Sequence, residues 1–146
     1  VNMLTVRAQR EGRITIFGGE QFRPLLHVKD VALAIKLALE SSQTGIFNLM
    51  KQNVRIVDLA FQIRNHFPDI IIEKTEIRFQ DTRNYRVSSD KAMNLLGFKP
   101  IYSIDDGIEE IKALLDSGRL KDLENPRYTN QQFLSKYNTH LKDNRT

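Results

Sequence analysis

The sequence has no cysteine, which excludes disulfides and thiolate metal sites and makes a reducing, cytoplasmic setting the expectation. It has no apolar run long enough to cross a bilayer, and its first residues lack the basic and apolar regions of a secretory signal, so no membrane partner is expected. Histidine is scarce: His27, His66 and His140 are widely separated, and none has a ligand-spaced partner, so no metal site is expected. There is no internal repeat and no low-complexity tract. An initiating Met is also missing while a helix-like pattern starts at residue 2, and the chain is therefore expected to begin inside a longer protein.

What is present is an ordinary globular composition. The 146 residues are 40% hydrophobic and 27% charged, enough for one domain with a sizeable core. The net charge of +4 is concentrated late, because six basic side chains face three acidic ones after Gly118. Residues 1–118 thus read as the folded portion and residues 119–146 as a basic C-terminal arm. A solvated terminus is the preferred reading of that arm over a nucleic-acid partner.

Periodicity and punctuation outline the elements. A helix over residues 2–11 is closed by Gly12, and Ile14-Thr15-Ile16-Phe17 followed by Gly18-Gly19 reads as a strand and a turn. Val31, Ala34, Ile35 and Ala38, widened by Leu33 and Leu37, predict a helix covered on more than one side. Gly45-Ile46-Phe47-Asn48-Leu49 predicts a short buried strand, and Ile56, Leu59, Ala60, Ile63 and Phe67 a helix that Pro68 ends. Residues 70–73 predict a strand, and residues 74–82 a loop or a further strand. Ser89 is expected to cap a short helix with Ala92, Leu95 and Leu96 inward and Gly97 as its stop. Ser103 to Asp106 form a capping-box start for a helix that Gly118 terminates, and a turn of helix is expected near residues 131–137. Helices alternating with short strands indicate an α/β class.

The run Phe22-Arg23-Pro24-Leu25-Leu26-His27-Val28-Lys29-Asp30-Val31-Ala32 concentrates the chemistry. Pro24 restrains Arg23 to extended backbone, and Asp30 is the expected N-cap of the following helix. In an extended segment Arg23, Leu25 and His27 share one face, while Leu26 and Val28 take the other and enter the core. Arg83 and Tyr85 likewise share a face, with Asn84 and Arg86 opposite. Two guanidiniums on separate segments offer forked donors that match a diphosphate, although either cluster alone reads equally well as ion-paired surface arginine. Phe17 suits core filling first and stacking on a base second. Asp105, Asp106, Glu109 and Glu110 resemble paired acids for acid-base work, but at a helix start they read first as solvated carboxylates favouring the dipole.

Taken in order, Ile14-Thr15-Ile16-Phe17-Gly18-Gly19, the run from Arg23 to Ala32, Gly45 to Leu49, Gln80 to Tyr85, Lys91-Ala92, Leu95 to Pro100 and Asp106-Gly107-Ile108 closely resemble one family. It is the extended short-chain dehydrogenase/reductases that act on nucleotide sugars, the NAD-dependent epimerases and dehydratases. The resemblance spans residues 1–118. Where the family often has Arg, Asp and an aromatic, this chain has Arg23-Pro24-Leu25.

The resemblance implies the C-terminal substrate-binding part of such an enzyme, with elements that normally complete a Rossmann-type sheet. It implies that Arg23 and Arg83 hold the diphosphate of a nucleotide-sugar substrate and that Phe17 lies against the base. The family's Gly-rich dinucleotide turn is missing, as is its Tyr-x-x-x-Lys pair, since no tyrosine here has a lysine four residues later. No catalytic or cofactor-binding residue is therefore expected in this chain, and NAD is expected to be bound mainly by a missing N-terminal part. The expected partners are the substrate and either a second copy or that missing half. The alternative, from another class, is a non-catalytic module for a nucleotide sugar or other anion.

Overall fold

The computed structural model describes residues 1–75 and 83–120, together with residues 122, 123, 125, 128, 133 and 134. The expectations for residues 76–82, including Gln80-Asp81-Thr82, and for most of the basic arm lie outside the described residues. The chain divides into two compact units, Val1–Ala113 and Leu114–Thr146.

The first unit opens with α1 (Asn2–Glu11), closed by Gly12 in the left-handed conformation at φ 62°. A side chain would be strained there, which is why glycine stops this helix. β1 (Arg13–Phe17) follows and pairs in parallel with β4 (Ile71–Thr75). The ladder is extended at both ends, by the Ile71 N–H donating to the Gly12 carbonyl at 2.9 Å and the Gly18 N–H donating to Thr75 at 3.0 Å. The second sheet is antiparallel, with β2 (Phe22–Leu25) against β3 (Gln52–Arg55).

α3 (Ile56–His66) is entered directly from β3 and packs against β1 of the other sheet. Its first N–H groups have no partner within the helix. The carbonyls of Gly19 and Gln21 accept those of Val57 and Ile56 at 2.9 and 3.2 Å. A Cβ on Gly19 would meet Val57 Cβ at 3.2 Å, and φ there is 107°, so this approach depends on glycine. The larger core joins Ile14 and Ile16 of β1 to Leu59, Ala60 and Ile63 of α3 and to Ile104 and Ile108 of α5 (Ile104–Asp116). The alternating burial of β1 and the i, i+4 spacing along α3 are what place these side chains together. α5 begins with the expected capping box: Ser103 Oγ accepts the Asp106 N–H at 3.1 Å, and Asp106 Oδ2 accepts the Ser103 N–H at 2.7 Å.

A smaller core joins Ala34 of α2 (Val28–Leu39) to Ala92 and Leu96 of α4 (Asp90–Leu96) and to Phe98, with Leu26, Phe47 and Leu49 partly buried against it. Several expectations are corrected around this core. α2 starts earlier than expected and is capped by His27, whose Nδ1 accepts the Lys29 N–H at 3.2 Å. Asp30 is instead fully buried in the first turn, where it serves the backbone of residues 101 and 102. Val28 is 74% exposed rather than in the core, since it has become the first helical residue. Val28, Ile35 and Leu39 leave part of the apolar surface of α2 exposed. Leu95 also faces solvent, while Leu96 points inward.

Residues 45–50 form no strand. A strand needs a neighbour for its backbone groups, and among the described residues none pairs with this segment. It is tied down by side chains: Ser89 Oγ accepts the Met50 N–H at 2.7 Å and donates to the Met50 carbonyl at 3.1 Å, and Lys91 Nζ donates to the Ile46 carbonyl at 2.9 Å. Ser89 therefore precedes α4 without capping it through its side chain.

In the second unit α5 ends with Asp116, and Gly118 turns the chain at φ 64°. Its N–H donates to the Leu115 carbonyl at 3.0 Å. Among the described residues no helix is long and apolar enough to cross a membrane.

Candidate functional site

β2 presents Phe22 and Arg23 on opposite faces, and residues 83–87 run beside them. The junction is made by side chains. Asn84 Oδ1 accepts the Phe22 N–H at 3.0 Å, and Arg23 Nη1 donates both to the Phe22 carbonyl, at 2.9 Å, and to the Arg83 carbonyl. The guanidinium of Arg23 lies over the Tyr85 ring at 5.4 Å from its centroid, and that of Arg86 over the Phe22 ring at 3.7 Å. Both distances fall within the range in which a cation is attracted by a ring face. The expected alternation is visible here, with Asn84 and Arg86 both meeting Phe22 and Tyr85 meeting Arg23.

Two of the three expected site residues are thus neighbours, because the Arg23 guanidinium reaches the Arg83 backbone carbonyl across 60 residues of sequence. Phe17 stands elsewhere, half-buried at the end of β1 in the other sheet, with its carbonyl accepting Gln21 Nε2 at 2.8 Å. Three side chains of this junction are not among the expected site residues: Phe22, Tyr85 and Asn53. The first two have a sequence signal, an aromatic next to or two residues from each arginine. Asn53 has none, since its partner is the backbone of Val87, bonded through both amide atoms at 2.9 Å.

The paired acids of α5 are engaged rather than merely solvated. Asp105 and Glu109, one helical turn apart, hold the two ring nitrogens of His66 at 2.7 and 2.5 Å. Their hydrogen bonds, that of Asp105 foremost, raise the His66 pKa above its ordinary value against the opposing effect of burial. The same contact with His66 holds the Asp105 carboxyl below its ordinary value. Asp106 is lowered by its hydrogen bonds from Ser103, and Glu110 by Lys29, with which it forms an ion pair. His27 is 3.5 Å from Glu110 and stacks on Tyr102 with ring centroids 4.8 Å apart. These contacts tie α5 to His66 at the end of α3 and to Lys29 in the first turn of α2.

A dinucleotide pyrophosphate does not fit the Gly18-Gly19 turn. The turn leads from β1 into β2 rather than into a helix, and its N–H groups are occupied by the Thr75 carbonyl at 3.0 Å and by Gln21 Oε1 at 2.8 Å. Among the described residues no group of three His, Cys, Asp or Glu is placed to hold a metal ion.

No family model matches the sequence. Solved structures do match the fold. UDP-glucose 4-epimerase from Thermotoga maritima superposes with a TM-score of 0.69 at 25% identity, over 79% of this chain and 38% of that one. ADP-L-glycero-D-manno-heptose-6-epimerase from Helicobacter pylori gives 0.65 at 18% identity, over 76% and 34%. dTDP-glucose 4,6-dehydratase from Bacillus anthracis gives 0.63 at 20% identity, over 79% and 38%. The fold is therefore that of part of a Rossmann-type short-chain dehydrogenase/reductase, and the chain spans less than half the length of these enzymes. Within that class its neighbours include NAD-dependent epimerases and dehydratases of the extended family, the group the sequence resembles.

Proposed function

We propose that this chain is the C-terminal, substrate-binding part of a cytoplasmic NAD-dependent nucleotide-sugar epimerase or dehydratase, and that it binds the nucleoside diphosphate through Arg23 and Arg83. What supports this reading is the bond from the Arg23 guanidinium to the Arg83 backbone carbonyl, which joins the two arginine-bearing segments beside the Tyr85 and Phe22 rings. Phe17, at the end of β1, is assigned to the base. In this reading the chain is inactive alone, because it has no Tyr-x-x-x-Lys pair and its Gly18-Gly19 turn does not suit the cofactor. NAD belongs to the part of the enzyme outside this chain. The basic arm from residue 119 is assigned no ligand.

The exposed apolar side chains of α2, together with Ile46 at 83% exposure, support association with a second copy or with the missing half. A sedimentation experiment showing a monomer that unfolds cooperatively would count against that part.

Titration calorimetry of the chain with UDP, dTDP and ADP tests the binding. A charge-assisted contact is worth about 1.5 to 3 kcal/mol, so Arg23→Ala and Arg83→Ala should each weaken binding by roughly ten- to a hundredfold. Heats that are unchanged in both variants would remove the diphosphate assignment.

A further inference from the structure

Asn53 lies on β3 directly opposite Pro24, the residue of β2 that follows Arg23. Its side chain does not point to a solvent-only surface. Oδ1 accepts the Val87 N–H and Nδ2 donates to the Val87 carbonyl, both at 2.9 Å, so one side-chain amide pairs with one residue's backbone as a neighbouring strand would. The amide orientation is fixed by this arrangement, because exchanging oxygen and nitrogen would set donor against donor and acceptor against acceptor.

We propose that Asn53 is a positioning residue for the arginine pair, holding residues 83–87 in register against β2 so that Arg83 and Tyr85 stay beside Arg23. This deepens, and rests on, the reading of Arg23 and Arg83 as the diphosphate site. Besides the bond from Arg23 to the Arg83 carbonyl, two side-chain amides fix the segment. Asn84 binds the Phe22 N–H at 3.0 Å, and Asn53 binds Val87 three residues further on. Between those points lie Tyr85, under the Arg23 guanidinium, and Arg86, over Phe22. Residues 83–87 belong to no helix or strand, so side chains rather than a ladder must hold them. Asn53 is half-buried and its partner Val87 is half-buried, so loss of the amide leaves two backbone groups poorly served by water.

The test uses the whole chain in two arms. In the first, amide hydrogen exchange is followed at Val87 and Phe22 in the wild type, Asn53→Ala and Asn53→Asp. Exchange at Val87 should quicken by about tenfold in Asn53→Ala, and also in Asn53→Asp, which keeps the acceptor for the Val87 N–H but sets its other oxygen against the Val87 carbonyl. Unchanged exchange in both variants overturns the proposal, and Asn53→Asp serves if Asn53→Ala fails to fold. In the second arm UDP affinity is measured for Asn53→Ala, Arg83→Ala and the double variant. Asn53→Ala should weaken binding several-fold, and the double variant should bind no worse than Arg83→Ala, since Asn53 acts through that segment. Losses that add independently overturn the positioning role. A wild type that binds no nucleoside diphosphate removes the functional reading instead, and the exchange arm then decides by itself whether Asn53 holds the segment.

Discussion

The carboxylate of Asp30 accepts the backbone N–H of Ile101 at 2.9 Å across 71 residues of sequence. Its second oxygen accepts the next N–H, that of Tyr102, at 3.1 Å. The side chain is fully buried at the start of α2, so one carboxylate ties that helix to the segment that leads into α5. Tyr102 is thereby set against His27, and Lys51 Nζ closes the same segment by donating to the Pro100 carbonyl at 2.8 Å.

Asp30→Ala should therefore cost stability out of proportion to its size. A backbone donor left without a partner costs about 1 to 3 kcal/mol, and this substitution strands two. Asp30→Asn keeps one acceptor and should cost less. Urea unfolding gives the totals, and exchange at the Ile101 and Tyr102 amides locates them. An Asp30→Ala variant as stable as the wild type, with both amides still protected, would refute the tie.

Much of this fold is legible in the residues because the signals are local. Gly12 and Gly97 stop their helices by adopting φ values of 62° and 65°, and Ser103 with Asp106 starts α5 by a bond spanning three residues. What was misread depends on partners far away in sequence. Asp30 has the type and position of a cap, yet its acceptors face N–H groups that only tertiary packing delivers. Asp105 and Glu109 read as solvated helix-start acids because nothing nearby in sequence announces His66, 39 and 43 residues away. Gly45 to Leu49 has strand composition, but composition does not provide the neighbouring strand. The resemblance pairs Arg23 with Arg83, and the structure brings the Arg23 guanidinium to the Arg83 carbonyl, whereas Asn53 is hidden because backbone partners leave no mark on the sequence.

The smaller core yields a paired prediction. Phe98 is fully buried between α2 and α4, and Phe98→Ala should cost about 3 to 5 kcal/mol. Leu95→Ala should stay within about 0.5 kcal/mol of the wild type, since Leu95 is 47% exposed, although helical spacing alone would have placed it inward. Denaturant midpoints with a common m-value measure both. Equal losses at the two positions would contradict the orientation of α4.

The clasp on His66 makes stability depend on pH in a direction that can be worked out. A histidine with a raised pKa in the folded chain binds its proton more tightly there than when unfolded. Its contribution is complete below the ordinary value of 6.5 and is lost as pH rises through the raised value. Asp105 has the opposite sign: its pKa is lowered, so its contribution is present above the ordinary value of 3.8 and is lost as pH falls through the lowered one. The pair is therefore strongest between those limits. Gln62 Nε2 also meets the clasp, 2.8 Å from Asp105 Oδ2, Lys112 Nζ lies 3.5 Å from the His66 carbonyl, and the Asp106 carboxylate acts on Asp105 against the effect of His66. Unfolding free energies measured from pH 5 to pH 9 should show the wild type losing stability on the alkaline side relative to His66→Gln, which has no proton to lose. A difference between the two proteins that stays constant over this range would mean that Asp105 and Glu109 do not hold a protonated ring.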